Sequence, residues 1–549
     1  MIRAGILFFI IIIAAVLRLW YIGNIPPSPN WDEVALGYNA YSIMLTGRDE
    51  YGEYLPIILR SYDDYKPALY AYFVIPFIKI LGLEVFAVRL PSALFGILAV
   101  LATYFLVKEI FSDRRIAFLS SFLLAISPWH IQFSRIAFES NVGLAFNIFS
   151  ALFFLKGLKR PIYLLFAGVL MGINLYIYQS EKVFTPILLF TLVILCRKQL
   201  FALPKKYLLS SVVIGLLISF PLIAYTKANT DAFARAKGVS FFSDQTELLK
   251  ESAFRVVESR ENNDLLGFVF NNRRVVYTRE VVAGYFSHFN LNWLFITGDV
   301  ARHHAPFMGL LYLWELPFLL IGMYMLIFGN FSTRIKTLIF SWFLIAPIPA
   351  SITSGVPHAV RTLNFLPTFQ IFIAIGIVSV LAYVSAITFK VLRIKVSYIF
   401  VICYLLFAAF NLFYYFNQYF VQQNYFSSQD WQYGYKEAAE EVHSIENKYE
   451  KIIVSNKPHM DQSYMFFLFY LQYPPDMYQK EAREASGGFR ETHRFGKFEF
   501  RAIDWGKERR EATTLFVGRI ADFPSVHPGH VKTFNFLDGE PAIKLVEGE

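Results

Sequence analysis

Eleven stretches of this chain are apolar along nearly their whole length, and no other feature narrows the possible folds so far. They run over 4–22, 88–107, 116–127, 141–155, 162–178, 184–196, 208–225, 307–328, 337–353, 365–389 and 397–418. A helix of about 20 apolar residues crosses the hydrocarbon core of a bilayer, and a helix satisfies its own backbone hydrogen bonds there. A polytopic α-helical membrane protein with about 11 transmembrane helices is the fold class this pattern predicts. Composition agrees: only 17% of the residues are charged, against about a quarter in soluble domains. The 58 phenylalanines and 33 tyrosines fit lipid-facing surfaces with aromatic belts at the interfaces. Residues 6–17 behind Arg3 have the look of a signal peptide, but Ile25-Pro26-Pro27 lacks the small-x-small cleavage pattern, so the stretch reads as a retained first helix.

The formal net charge of +9 does not point to nucleic acid, because the basic residues sit in short loops between apolar runs. Lys108, Arg114-Arg115, Lys156, Lys159-Arg160, Arg197-Lys198, Lys205-Lys206, Arg334, Lys336, Lys390, Arg393 and Lys395 all fall on one side, which the positive-inside rule assigns to the cytoplasm. An odd number of crossings then puts the N-terminus in the cytoplasm and the tail outside, in a multi-pass protein of the cell membrane. The two cysteines, Cys196 and Cys403, lie near cytoplasmic helix ends, where no disulfide is expected.

Two domains follow. Residues 1–424 form the membrane domain, with a first outer loop over 23–88 and a long polar outer loop over 227–306. Within the first loop, 34–45 and 69–81 are expected as helices lying in the interface, the second with Pro76 inside it. Residues 425–549 are expected to form an extracytoplasmic α/β domain. It would hold a helix at 437–447 and strands at 451–455, 498–503, 513–517, 531–536 and 542–546.

Ionisable groups gather on the outer side, most of all around Trp31-Asp32-Glu33. Asn30 with Glu33 three residues on has capping-box spacing. Asp32 beside it is placed to act as a general base, since a carboxylate near a low-dielectric boundary gains proton affinity. Glu33 and Glu139 are the further candidate catalytic acids. The cluster Tyr62-Asp63-Asp64-Tyr65-Lys66-Pro67 follows. Lys66 is either a snorkelling lysine or a phosphate-binding point charge at a helix N-terminus. Arg89 at the same face is an interfacial anchor or a further phosphate ligand; Arg135 in the 127–140 loop is a phosphate ligand or, with Glu139, a solvated loop salt bridge; and Arg361 is a further phosphate ligand at that face. Tyr62, Tyr65, His358 and Glu181 complete the candidates, as substrate-binding groups, with a solvated loop the alternative for Glu181. Adjacent His303-His304 lacks the i,i+4 spacing of helical metal ligands, so no metal ligand is assigned. Glu315 sits about ten residues into the eighth apolar run, where a charge is costly unless paired.

Asp32-Glu33 just after the first helix, Lys66-Pro67-Ala68-Leu69-Tyr70 and Arg89-Leu90-Pro91-Ser92-Ala93 follow in an order and spacing that resembles a known family. It is the protein O-mannosyltransferase and aminoarabinose transferase group, the family 39-like members of the GT-C glycosyltransferase superfamily. The resemblance is strongest over 1–200 and continues through Pro357-His358-Ala359-Val360-Arg361. Ala68 stands where the family usually has a second proline. The resemblance implies transfer of a sugar from a polyprenyl-phosphate donor to an acceptor hydroxyl of a protein, lipid or glycan on the outer face. Asp32 would act as base, the anomeric carbon would invert, and Lys66, Arg89, Arg135 and Arg361 would hold the donor phosphate. No cofactor is required, and a divalent metal stays open. The alternative class is a transporter or flippase of lipid-linked sugars. It would place its charges along a central path, often between repeated halves, and Glu315 is the feature favouring it.

Overall fold

Each of the eleven apolar runs contains a helix in the computed structural model, which describes residues 2–62, 64–229, 246–386, 396–481, 492–524 and 529–548. Asp63, the basic loop with Lys390, Arg393 and Lys395, the end of the tenth apolar run and part of the 227–306 segment lie outside the described residues. The first run forms α1 (Ile2–Leu19). The first loop carries α2 (Trp31–Thr46), an antiparallel hairpin of β1 (Ile58–Ser61) and β2 (Asp64–Pro67), and α3 (Leu69–Leu81). There follow α4 (Val85–Ile110), α5 (Arg114–Ile126), α6 (Pro128–Ser134), α7 (Glu139–Gly157), α8 (Tyr163–Asn174), α9 (Glu181–Leu200) and α10 (Lys205–Ala228). The long polar segment holds α11 (Thr246–Glu261), α12 (Leu265–Phe270) and α13 (Arg273–Ser287). The second membrane half is α14 (Glu315–Phe328), α15 (Thr333–Ile345), α16 (Thr368–Ala386) and α17 (Val396–Asn417).

Six of the described helices are long and apolar enough to cross a bilayer, or seven if the bent pair of α5 and α6 counts as one span. The expected eleven is thus not met by length alone. A helix of 12 to 14 residues, such as α8 or α14, rises only about 18–21 Å, short of the ~30 Å core. The bundle is apolar outside as well as inside. On α10, Leu209, Val212, Val213, Leu216, Leu217 and Phe220 are all exposed, an apolar surface suited to lipid and not to water. Helices α14 and α16 cross backbone to backbone. A Cβ on Gly322 would lie 1.7 Å from the Phe372 carbonyl oxygen, and one on Gly376 2.0 Å from that of Phe318, the small-residue packing that membrane helices favour.

Three expectations need correction. The eighth apolar run is not helical over 307–314, so Glu315 opens α14 instead of sitting mid-helix. There its Oε2 accepts the Tyr312 N–H at 3.1 Å and caps the helix. Residues 127–140 are not a solvated loop. Ser127 caps α6 with Pro128 at its first position, the chain bends by 57° from α5, and all seven residues of α6 are buried. Finally, α2, expected as an interfacial helix, is covered by protein. Its residues from Glu33 to Ala40, with Ser42 and Ile43, are buried, because the tail packs over it.

The tail contains α18 (Tyr435–Ile445), β3 (Lys451–Val454), α19 (Ser463–Tyr470), α20 (Pro475–Glu481), β4 (His493–Phe495), β5 (Phe498–Phe500), β6 (Thr514–Gly518), β7 (His530–Asn535) and β8 (Pro541–Glu547). Six of these strands form one sheet in the order β4-β5-β3-β6-β8-β7, with β3 parallel to both its neighbours. The expected helix and five strands are all present; β4, α19 and α20 are additional. Helix α19 is apolar and buried, and it lies directly on α2. A Cβ on Gly37 would meet the Phe469 ring at 2.7 Å and Val88 at 2.8 Å, so only glycine lets the three elements close.

Candidate active site

The N-terminus of α2 is held by local hydrogen bonds that the sequence spacing announces. The Asn30 side chain accepts the N–H groups of Asp32 (2.8 Å) and Glu33 (3.1 Å), and Glu33 Oε2 accepts the Asn30 N–H in return (3.1 Å). Glu33 does much more than cap. Its carboxylate takes Arg89 Nε and Nη2 at 2.8 and 3.0 Å and the Ala137 N–H at 2.9 Å. Only 1% of the residue is exposed. Glu33 thus has its lone pairs committed to Arg89, the Asn30 N–H and the Ala137 N–H, whereas a catalytic acid was expected here.

Arg89 and Arg135, expected at the donor phosphate, are enclosed instead. Arg89 donates to both Glu33 oxygens and to the carbonyls of Ile22, Pro26 and Ser28. Those bonds use all five N–H groups of a guanidinium, so none is left for a phosphate. Arg135 donates to the carbonyls of Leu17 (2.9 Å) and Ile25 (3.0 Å) and lies over the rings of Tyr419 and Phe420. Both arginines are fully buried and fasten the chain after α1 to the bundle. Arg18 does the same in the last turn of α1, donating to Ala14, Leu124 and Ala125 carbonyls and lying 2.6 Å from His130 Nδ1. Glu139 is buried in the first turn of α7, where a helix N-terminus favours a negative charge.

Asp32 has a different environment. Its carboxylate pairs with Lys66 of β2, and its side chain keeps 27% exposure against 8% for the lysine. Around it, Tyr62 donates its hydroxyl to the Trp31 carbonyl at 2.9 Å, and Gln432 from the tail segment accepts the Trp31 N–H at 3.1 Å. The Arg302 guanidinium stacks on the Trp31 ring, 4.1 Å from its centroid. Burial draws Arg302 below its ordinary pKa, while the carboxylates of Asp32, Asp430 and Glu33 pull the other way. A partly exposed carboxylate thus faces two cations, Lys66 and Arg302, across an aromatic floor. Tyr65 lies on β2 next to Lys66, its carbonyl accepting Gln179 Nε2 at 2.8 Å.

Helix α6 is the platform that brings the distant loops here. Gln132 Nε2 donates to the Arg302 carbonyl at 2.8 Å, and Trp129 Nε1 to the Ala359 carbonyl at 3.2 Å. Beside Arg302 lies a second cluster, Asp299, His303 and His358. His303 Nδ1 is 3.0 Å from Asp299 Oδ2, and the His303 and His358 rings are 5.2 Å apart. Burial pushes both imidazoles down, and the contact with His303 holds Asp299 below the usual carboxylate range against its own burial. His358 thus joins this cluster. Arg361, next to it, is partly exposed and donates to the Ser354 carbonyl at 2.8 Å.

Glu181 is not at this site. It is fully buried among Asn147, Asn174, Thr185 and Asn364, with Asn364 Nδ2 donating at 2.7 Å and Asn147 Nδ2 at 2.5 Å. The cluster ties α7, α8 and α9 together at the head of the bundle. The structure therefore joins Asp32, Tyr62, Tyr65 and Lys66, sets Glu33, Arg89, Arg135 and Glu181 into the framework, and adds Arg302 and Gln432. Those two carry no local signal, since nothing in a sequence ties them to Trp31.

Residues 65–225 match the family described as dolichyl-phosphate-mannose-protein mannosyltransferase. No curated protein sequence matches the chain. ArnT from Cupriavidus metallidurans, solved with undecaprenyl phosphate bound, shares 12% identity and a TM-score of 0.54 over 98% of both chains. The oligosaccharyltransferase AglB from Archaeoglobus fulgidus, solved with an inhibitory peptide and a dolichol-phosphate, shares 15% identity and a TM-score of 0.51 over 85% of this chain. The chain spans 63% of that archaeal enzyme's length. The chain has the polytopic membrane fold of the GT-C glycosyltransferases, and it resembles their protein O-mannosyltransferase and aminoarabinose transferase group.

Proposed function

We propose that the chain is an integral membrane glycosyltransferase that moves a sugar from a polyprenyl-phosphate donor to an acceptor hydroxyl on the extracytoplasmic face. The observation that carries this reading is the partly exposed Asp32 carboxylate facing Lys66 and Arg302 at the head of an apolar bundle. The relatives with the same fold support it, since ArnT was solved with undecaprenyl phosphate and AglB with a dolichol-phosphate. In this reading all eleven apolar runs sit in the membrane, with the N-terminus cytoplasmic and the α/β unit outside.

Lys66 pairs with the Asp32 carboxylate before substrate arrives. The donor phosphate then draws Lys66 and Arg302 to itself, with Arg361 at the outer edge, and Asp32 is freed to accept a proton. The acceptor hydroxyl loses its proton to Asp32, and its oxygen attacks the anomeric carbon from the face opposite the phosphate. The bond from carbon to the phosphate oxygen breaks and leaves polyprenyl phosphate. The configuration inverts. The two cations stabilise the charge that grows on the leaving phosphate.

An apolar groove of about 260 Å³ between α8, α9 and α10 gives a lipid tail a path. It is lined by Leu164, Met171, Leu175, Leu189 and Leu216 among others. Leu175 also packs in the cluster of Ile58, Tyr65 and Leu222, so the groove ends beside the hairpin that carries Lys66.

The test is release of free polyprenyl phosphate from a panel of polyprenyl-phosphate sugars by purified protein, with Asp32→Asn alongside. Release by the wild type alone supports the reading and names the donor. Binding of no donor at all would move the reading to transport.

A further inference from the structure

We propose that the end of the bundle remote from Asp32 binds an anionic phosphate group between Lys159 and Arg334. A cavity of about 540 Å³ opens there between the far end of α4, the loop after α7, the loop after α9 and the start of α15. Its volume is that of a small-molecule site, roughly 300–1,000 Å³. Glu109 on its wall stands 20 residues beyond Arg89 on the same helix, α4, which is about 30 Å of helix rise. The cavity is therefore separate from the carboxylate and cations around Trp31. All four segments are ends of the basic loops that the positive-inside rule assigns to the cytoplasm.

The charged side chains that line the cavity are Glu109, Lys159 and Arg334, so its net charge is positive. Glu109 pairs with Lys159. Arg334 pairs with no carboxylate among the described residues. It donates from Nη1 to Gln199 Oε1 at 2.6 Å and from Nη2 to Cys196 Sγ at 2.9 Å, both neutral partners. A guanidinium has five N–H groups, so three remain, in the planar fork that suits a phosphate. Arg334 also stands in the first turn of α15, where the peptide dipoles repel a cation and attract an anion. A phosphate beside it relieves that repulsion. The exposed Lys159 side chain turns to the same phosphate at small cost, because a surface pair such as Lys159–Glu109 is weak.

The neighbouring cations are engaged elsewhere. Lys156 lies over the rings of Phe105 and Tyr163, at 5.5 and 5.8 Å, and Lys336 donates to the Ile327 carbonyl at 2.7 Å. Lys159 and Arg334 are thus the pair that faces the cavity. The rest of the wall is apolar, with Leu155, Leu203 and Leu338. A polar mouth over an apolar wall fits the headgroup of an acidic phospholipid, and basic pockets between membrane helices take such headgroups. A soluble phosphate ester offers the same anion without the chains. Either one bridges the loop after α7 to α15 and so ties the two halves of the bundle together at this end. Binding here is independent of the transferase reading, since its readout is ligand affinity and not turnover.

The full chain in detergent is titrated with phosphatidylglycerol and, separately, with phosphatidylcholine of the same acyl chains, and bound lipid is counted by native mass spectrometry. Inorganic phosphate and glycerol 3-phosphate are tested alone, by their shift of the thermal midpoint, and as competitors. Phosphatidylglycerol should bind at least about tenfold tighter than phosphatidylcholine, and added salt should weaken it. Lys159→Gln and Arg334→Gln should each cost roughly fivefold in affinity. Glu109→Gln removes the opposing charge and should tighten binding. Displacement of the lipid by either soluble phosphate, or binding of that phosphate alone, names the free ester as a sufficient ligand. Lipid that neither displaces names the headgroup. Equal affinity for the two lipids with no binding of either soluble phosphate would overturn the proposal. So would wild-type affinity in a folded Lys159→Gln/Arg334→Gln double variant. If Arg334→Gln does not fold, the exposed Lys159→Gln and Glu109→Gln decide, and unchanged affinity in both overturns it.

Discussion

Asp32 and Glu33 are chemically alike and adjacent, and the structure gives them opposite work. Glu33 points into the bundle, where Arg89 and the Ala137 N–H enclose it. Asp32, one residue earlier on the helix, points to the partly open side with Lys66. The two predict separable variants. Asp32→Asn keeps a polar group beside Lys66 but cannot take a proton, so polyprenyl phosphate release should fall about 10²–10⁴-fold while the thermal midpoint stays put. Arg89→Met leaves the Glu33 carboxylate buried and unpaired, which costs about 3–5 kcal/mol. Thermal unfolding should show that loss in the absence of any substrate. Arg302→Lys keeps the charge and loses the flat stack on Trp31. Turnover should drop at least about tenfold, the equivalent of about 1.4 kcal/mol of barrier, with little change in stability. At this scale the sequence was legible where partners are near in the chain. Asn30 with Glu33 spelled out a capping box, and Lys66 was visible as the cation of the first loop. It was illegible where one side chain has two plausible fates. Arg89 at a helix start reads first as an anchor and second as a phosphate ligand, and its five bonds show what it holds.

At the scale of elements, what the sequence hid was burial. The polar look of Ser127-Pro128-Trp129-His130-Ile131-Gln132 suggests a loop, yet every residue of α6 is buried, and Trp129 Nε1 and Gln132 Nε2 each donate to a backbone carbonyl of a distant loop. Helix α2 reads as amphipathic in the same misleading way, because the tail that covers it lies some four hundred residues on. The turn after α2 shows what such covering does to an acid. Glu50 is fully buried and exchanges two hydrogen bonds with Asn39, at 3.1 and 3.0 Å. Burial pushes its carboxyl up to about 8. Below about pH 4.5 the group is protonated whether folded or not. Between there and pH 8 only the folded chain holds the proton, so stability falls as pH rises, by about 1.4 kcal/mol per unit at most. Asp49, pushed up to about 6, adds a slope of the same sign that ends near pH 6. Comparing Glu50→Gln with the wild type between about pH 6.5 and 8 isolates Glu50. The wild-type midpoint should drop more steeply across that window than the variant's.

Taken whole, the molecule has one continuous apolar core from the bundle into the tail. The same cluster holds Ala99 and Val100 of α4, Val34 and Leu36 of α2, and Phe466, Leu468 and Leu545 of the α/β unit. The sequence marked the tail as an α/β unit through its strand alternation, but alternation shows only that one face is buried and not against what. A separate acceptor-binding module would leave the site intact when removed. The contacts here predict otherwise. Gln432 holds the Trp31 N–H, and Trp431, fully buried, lies over the Arg89 guanidinium at 5.9 Å. Phe469 and its neighbours cover Gly37. Ending the chain at 426 would uncover α2, let water reach the Glu33–Arg89 pair and release Trp31, and with it the stack that holds Arg302. Such a truncation should therefore lose donor binding and thermal stability together, whatever acceptor is offered. A milder variant separates the causes. Gln432→Ala removes the hydrogen bond to the Trp31 N–H and a longer one to the Asp461 carbonyl, each worth about 1 kcal/mol, and keeps the apolar side chains of the core. Its thermal midpoint should stay near the wild type's while donor turnover falls, because the tail then still folds over α2 but no longer fixes Trp31. If instead the truncated chain released polyprenyl phosphate at the full rate, the tail would be an appendage and the shared core irrelevant to the chemistry.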